Sequence, residues 1–233
     1  MNPIIRRILM FSPGIYKHGL AGLYKFIEPA DSQTLIDYSR FGRNGLNGGT
    51  VETTDNDAVF DGAKATFTTD KYIKIPYFDG FAVPYALQIV FALGDVANET
   101  GFLLGVQSGV ASLRFNTTYD SLSCGPTANR LGLAKSNFAN GVFSDVCVSY
   151  LDASTIKCFH NGVDKTIALG GFAGNDSGAL QVGARAGINF ISSMQVAYLL
   201  VYKGVMITSA IAKQNHLALR TELAKRGIAL PLN

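Results

Sequence analysis

TIKCFHNGVDKTI, residues 155–167, sets two runs of β-branched and aromatic residues around an Asn161-Gly162 pair. Asn-Gly accepts positive φ at both central positions of a type I′ turn, whose twist matches that of two antiparallel strands. The stretch therefore reads as a β-hairpin. Outward from it the same pattern repeats. DVCVSYL (145–151) precedes the hairpin, and YALQIVFAL (85–93), GFLLGV (101–106), VASLRF (110–115), ALQVGA (179–184) and SMQVAYLLVY (193–202) are further short apolar runs. Clusters of Gly, Asn, Asp and Ser separate them. Many short strands with such turns make a sandwich or barrel, not a parallel α/β sheet.

Both ends of the chain break this pattern. In TSAIAKQNHLALRTELAKRGIALP (208–231), Thr208 is placed as an N-cap, and Ala212, His216, Leu219 and Leu223 share one helical face. Lys225 and Arg226 fall in the last turn, and Gly227 and Pro231 stop the helix. That predicts a terminal helix packed on the β domain or on a partner. Near the start, Pro3 opens a short helix that puts Ile4, Ile5, Ile8 and Leu9 on one face. This face either packs on its own domain or docks on a neighbouring subunit; it is too short to bind lipid well. The expected division is an arm at 1–20, a β domain at 21–206 and a helical tail at 207–233.

Composition narrows the function classes. The chain has 233 residues, 48% of them hydrophobic, enough for a sizeable core. Twenty basic residues face seventeen acidic ones, spread along the chain with no run beyond Arg6-Arg7. Nucleic-acid surfaces cluster their cations, so no nucleic-acid partner is expected. Cys124, Cys147 and Cys158 show no C-x-x-C spacing and read as small apolar fillers on strands. The apolar run Ile8–Phe11 is too short for a secretory signal, and no stretch approaches a membrane span. Synthesis in a cytosol, without a membrane, is the expectation.

LYKFIEPADSQTLIDYSRFGRNGLNGG (23–49) followed by AVFDGAKATFTTDKYIKIP (58–76) resembles the start of concanavalin A-like jelly-roll domains of the laminin G-like type. Asp37, Ser39, Gly42, Asn44 and Gly45 match a D-x-S-x-x-G-x-N-G pattern after an aromatic first strand. Phe60, Asp61 and Gly62 match the next motif, and Tyr72, Ile73, Ile75 and Pro76 a strand ending in Ile-Pro. VFSDVCVSYLDASTIKCFHNGV is similar to the family's central hairpin, with Phe143 where a Trp is usual. The resemblance spans about residues 22–214 and implies an all-β, two-sheet jelly-roll sandwich. The closing HLALRTELAKRGIALP is similar to the tail of jelly-roll proteins of tailed bacteriophages. That second resemblance implies a virion subunit: a capsid decoration, head-fibre or tail-associated protein made in the host cytoplasm. It would bind other virion proteins and copies of itself, with its arm and last helix gripping neighbours.

The alternative is a lectin-like module that recognises a cell-surface glycan. Tyr77, Phe78 and Phe81 form an aromatic loop suited to that role, against the plainer reading that they pack the rim of the sandwich. Related domains often bind calcium through loop oxygens, and here Asp55, Asp57, Asp95 and Asn98 are the candidates; loops also carry Asp and Asn simply to turn. Glucanases of this fold need a carboxylate pair on one strand. Glu28, Glu52, Glu99 and Glu222 lie in four different neighbourhoods, and His18, His160 and His216 have no ligand spacing, so no catalytic residue and no enzyme is expected.

Overall fold

The computed structural model describes residues 14–49, 55–75, 81–106, 112–116, 120–124, 129–152, 155–167, 175–176, 178–185 and 190–232. Its first strands are β1 (Leu20–Tyr24), β2 (Thr34–Leu35), β3 (Gly45–Asn47), β4 (Val59–Phe60), β5 (Ala65–Thr68) and β6 (Ile73–Ile75). Then come β7 (Phe81–Ala82), β8 (Tyr85–Leu93), β9 (Phe102–Val106), β10 (Leu113–Asn116), β11 (Ser121–Cys124) and β12 (Asn129–Ala134). The series closes with β13 (Ser144–Tyr150), β14 (Ile156–His160), β15 (Val163–Asp164), β16 (Asn175–Asp176), β17 (Leu180–Val182), β18 (Ser193–Lys203) and the helix α1 (Ser209–Ala224).

Two eight-stranded antiparallel sheets result. One runs β15-β14-β13-β8-β18-β5-β4, with β1 also on β18; the other runs β12-β11-β10-β9-β17-β6-β3-β2. β1 pairs with residues 199–202 of β18 and β5 with residues 193–196, so the two lie end to end along one edge of that long strand. This is the expected two-sheet sandwich. The hairpin at 155–167 forms as its Asn-Gly pair dictates: Asn161 and Gly162 have φ of 50° and 79°, and His160 pairs with Val163.

Unbroken apolar runs such as YALQIVFAL would be odd in a sheet with one wet face. All nine residues of β8 are in fact buried. Tyr85, Leu87, Ile89 and Phe91 point into the core between the sheets, whereas Ala86, Val90 and Ala92 point to a second core on the other face. There α1 covers the sheet with Ala212, Leu219 and Leu223, joined by Ile228 and Leu230 from the tail. A strand covered on both faces needs apolar residues at every position. Thr208 caps the helix as expected, its side chain accepting the Ile211 N–H.

Of the two expected seats for the helix, its own β domain or a partner, its apolar face takes the first. Arg226 reinforces that seat, donating from Nη1 to the carbonyls of Lys25 (2.7 Å) and Ala63 (2.8 Å) and from Nη2 to that of Ala197 (3.3 Å). The described part of the expected arm, residues 14–20, packs on the same sheet face. Ile15 and Tyr16 already lie on the second core, and the Tyr16 N–H donates to Asn215 Oδ1 at 2.8 Å. Ile4, Ile5, Ile8 and Leu9 lie outside the described residues.

Cys124, Cys147 and Cys158 are free and buried, as apolar fillers would be. Burial pushes the Cys124 thiol up to about 12 and raises the other two above the ordinary thiol range. Thiolate is the reactive form. A disulfide reagent at neutral pH is therefore expected to find no fast-reacting thiol in the folded chain and all three in guanidinium; a rapid native reaction at any of them would contradict this burial.

Candidate functional site

The loop chemistry at 35–49 is organised by one carboxylate. Asp37 is buried beside β1, on the edge that does not meet β18. Its Oδ1 accepts the N–H groups of Leu23 (3.0 Å) and Ser39 (2.8 Å), and its Oδ2 accepts the Ser39 hydroxyl (2.8 Å) and the Arg43 N–H (2.9 Å). Its own N–H donates to Asn44 Oδ1 at 2.9 Å. The Tyr38 N–H reaches Leu23 O at 2.7 Å, and the Tyr24 hydroxyl reaches Arg43 O at 2.8 Å. Gly45 then enters β3 where a Cβ would stand 3.1 Å from Ile73 Cγ2 and 3.2 Å from Ile75 Cγ1, so only glycine fits easily. The motif is thus a clamp that fixes residues 37–45 against β1.

Three side chains in this clamp have no part in holding it. Tyr38, Arg40 and Phe41 are exposed, the two rings by 40% and 44%. They form one wall of a cleft of about 780 Å³, whose other walls are residues 17–21 and Lys203. The Phe41 ring has the guanidinium carbons of Arg43 and Arg40 at 4.6 and 4.9 Å from its centroid. Lys25 Nζ lies 5.3 Å from the Tyr38 centroid. Arg43 is itself tied down, Nη1 donating to Ala21 O at 3.2 Å. Cations over ring faces orient both partners, each contact contributing about 0.5–1 kcal/mol at exposed sites. The described lining carries Lys17, Arg40, Arg43, Lys203 and His18, and no Asp or Glu. The cleft is basic, aromatic and rigidly walled on the loop side.

The candidates expected from the sequence fall elsewhere. Tyr77 and Phe78 lie outside the described residues, and Phe81 opens β7, paired with Asp176 of β16. Asp95 and Asn98 turn on each other: Oδ2 of Asp95 accepts Asn98 Nδ2 at 2.7 Å and Oδ1 accepts its N–H at 3.3 Å. Asp57 Oδ2 accepts Gln33 Nε2 at 3.0 Å, while the Asp55 carbonyl accepts Lys71 Nζ. The two Asp-containing loops therefore have separate partners. Among the described residues no three His, Cys, Asp or Glu side chains gather as metal ligands would.

The glutamates are equally dispersed. Glu99 is buried as a brace between loops, accepting the N–H groups of Thr100 (2.9 Å) and Gly101 (2.8 Å) and the Ser192 hydroxyl (2.7 Å). Glu28 Oε1 accepts the Ile36 N–H at 3.0 Å, and burial raises its carboxyl above the ordinary range. Glu222, on α1, pairs with Lys25 and Lys225. Glu52 lies outside the described residues.

Tyr38, Arg40 and Phe41 are not among the residues expected from the sequence, because Gly42, Asn44 and Gly45 give the loop the look of pure turn chemistry. A signal was present: YSRFGR alternates rings and cations in a loop whose turn duties fall to Asp37, Ser39 and Gly42. Lys17 and Lys203 carried none, since only the pairing of β1 with β18 brings them to the same place.

No protein-family model matches the chain, and no curated protein matches it. Solved structures do. Trypanosoma rangeli sialidase is similar at a TM-score of 0.64 and 13% identity, over 90% of this chain and 34% of the sialidase. Domain 4 of AbnA, a GH43 extracellular arabinanase from Geobacillus stearothermophilus, in complex with arabinotriose, is similar at 0.60 and 16%, over 87% of this chain and 100% of that domain. The botulinum neurotoxin serotype D binding domain is similar at 0.57 and 7%, over 85% of this chain and 51% of that one. The chain spans about a third of the sialidase's length. Identities this low establish a shared fold, the two-sheet sandwich.

Proposed function

We propose that this chain is a carbohydrate-binding module without catalytic activity, and that the sugar lies in the cleft between residues 17–21 and 38–43. The observation that carries the reading is the pair of rings, Tyr38 and Phe41, held exposed on a hydrogen-bonded loop beside a ligand-sized cleft. Leaving two rings in water is unfavourable, and the apolar C–H face of a pyranose or furanose is the surface they suit. Domain 4 of AbnA supports the reading from another side, because that whole sandwich is described with a bound trisaccharide. The scattered glutamates support a binding role over two-carboxylate hydrolysis, which places its pair about 5–10 Å apart across one sugar bond.

The virion-subunit reading rests on the sequence resemblance and the segment carrying Ile4, Ile5, Ile8 and Leu9; the apolar face of α1 lies against its own sheet, which leaves the helix its outer face for a neighbour.

A glycan array probed with the purified chain tests the proposal, followed by titration of the best ligand. Binding is expected, and Tyr38→Ala with Phe41→Ala together should weaken it about tenfold or more, as loss of two ring contacts implies. The melting temperature should fall by only a few degrees, since both rings are partly exposed and what they lose in the fold is chiefly their cation contacts. An empty array, or affinity untouched by the double substitution, overturns the assignment. A chelator arm asks in the same run whether binding needs a cation at the Asp55–Asp57 or Asp95–Asn98 loops.

A further inference from the structure

We infer that the saccharide taken by this cleft is anionic, a sugar carrying a carboxylate, sulfate or phosphate that meets Arg40 and Lys17 while its ring lies on Tyr38 and Phe41. The inference rests on the carbohydrate-binding reading and adds the chemical class of ligand to it. Its ground is the hydrogen-bonding character of the lining. Lysine and arginine donate and never accept. Of the described lining residues, Lys17, Arg40, Arg43 and Lys203 are donors only, and none is a carboxylate or an amide. The side-chain acceptors left are the hydroxyls of Tyr38 and Ser39 and a ring nitrogen of His18, and the Ser39 hydroxyl already donates to Asp37. A neutral sugar presents hydroxyls that donate as well as accept, and the described side chains answer its donors far less well than its acceptors. An acceptor-rich anionic sugar matches the lining.

Charge supports the same conclusion. The chain as a whole is nearly balanced, twenty basic residues against seventeen acidic, yet the described residues of this cleft include four cations and no acid. Asp37 lies behind the loop with both oxygens engaged by protein donors, so it does not face the ligand. The cleft also shares Lys17, Leu20 and Leu23 with an adjoining cavity of about 300 Å³, lined by Lys25 and Lys225 as well. Among the described residues Glu222 is the one carboxylate there, and it bridges those two lysines at 3.4 and 3.6 Å. A polymer with an anion on successive units could run from the cleft along this strip.

The test uses the full chain and matched polymers: polygalacturonate beside its carboxyl-reduced form, dextran sulfate beside dextran, and a phosphomannan beside mannan. The anionic member of at least one pair is expected to bind about tenfold or more tighter, as one charge-assisted contact implies. That preference should fade as salt rises from about 50 to about 500 mM and the screening length shrinks. Which pair responds identifies the anion. Lys17→Gln with Arg40→Gln should remove the preference without lowering the melting temperature, and Lys165→Gln, on the exposed end of the hairpin, should leave it intact. Equal or better binding of a neutral partner that still depends on Tyr38 and Phe41 overturns the inference and leaves the carbohydrate-binding reading standing. Binding of anionic polymers that ignores Lys17→Gln with Arg40→Gln also overturns it. No binding to any polymer or array glycan removes both.

Discussion

Asp37→Ala is expected to destabilise the domain by about 3 kcal/mol and to abolish ligand binding even where the protein stays folded. One carboxylate serves four donors, and its removal strands all of them. Leu23, Ser39 and Arg43 are each half-buried, so water answers these donors only in part. A buried donor left without a partner costs about 1–3 kcal/mol, and four half-buried ones together set the scale of the estimate. Asp37→Asn keeps one oxygen for Leu23 and Ser39 but turns an NH₂ group towards the Arg43 N–H. Its cost should be about half that of alanine, which separates loss of the acceptor from loss of the side chain. Urea unfolding midpoints measure both. The functional arm follows from geometry: Tyr38, Arg40 and Phe41 owe their positions to this clamp, so a loosened loop no longer presents rings and cations together. If Asp37→Ala unfolds near its parent's midpoint, the carboxylate is not the organiser described here.

How much of this was legible in the sequence depends on the distance over which each feature is determined. The hairpin at Asn161-Gly162 is local, and so it was readable. The long strands β8, β13 and β18 were readable too, because a chain dense in β-branched and aromatic residues has few alternatives. β2, β3, β4 and β6 are two or three residues long, too short for any period to show. They exist because the Asp37 clamp and the Asn47 side chain hold them: Asn47 Nδ2 donates to Ala58 O at 2.8 Å and its Oδ1 accepts the Ala58 N–H at 2.8 Å. The D-x-S-x-x-G-x-N-G resemblance located the clamp without revealing that a carboxylate holds it. The cleft was not legible, since its walls come from three segments that meet only through strand pairing. Polar residues inside the apolar runs, Gln88, Asp145, Asn215 and His216, were not singled out as partners. Each looks unremarkable alone, and together they form the buried junction between helix and sheet.

That junction carries the second large effect: Asp145→Ala is expected to cost about 3–5 kcal/mol, the range for a buried ion pair or its equivalent that loses one member. Asp145 is buried on the outer face of β13 and accepts both Gln88 Nε2 (2.9 and 3.0 Å) and His216 Nδ1 (3.2 Å). His216 Nε2 lies 3.1 Å from the Pro231 carbonyl. The network continues inward: Gln88 Oε1 accepts Asn215 Nδ2 at 2.8 Å, and Asn215 Nδ2 also donates to Tyr202 Oη at 2.9 Å. Tyr202 Oη donates to Tyr16 O at 3.0 Å, and Tyr16 N–H returns to Asn215 Oδ1. Alanine at 145 leaves a buried amide and a buried imidazole N–H without an acceptor, and nothing apolar fills the space. Asp145→Leu with His216→Leu removes both polar partners and restores packing, so it should cost less than the sum of the single leucine variants, by about 1–3 kcal/mol. Strict additivity in that cycle would mean the two side chains do not interact. The loss should also reach the cleft, because Tyr16 is the anchor that precedes Lys17 and His18 on its wall. Asp145→Ala, assayed below its melting temperature, is therefore expected to weaken ligand binding although no atom of Asp145 lines the site; unchanged affinity would show that residues 17–21 hold their place through β1 alone.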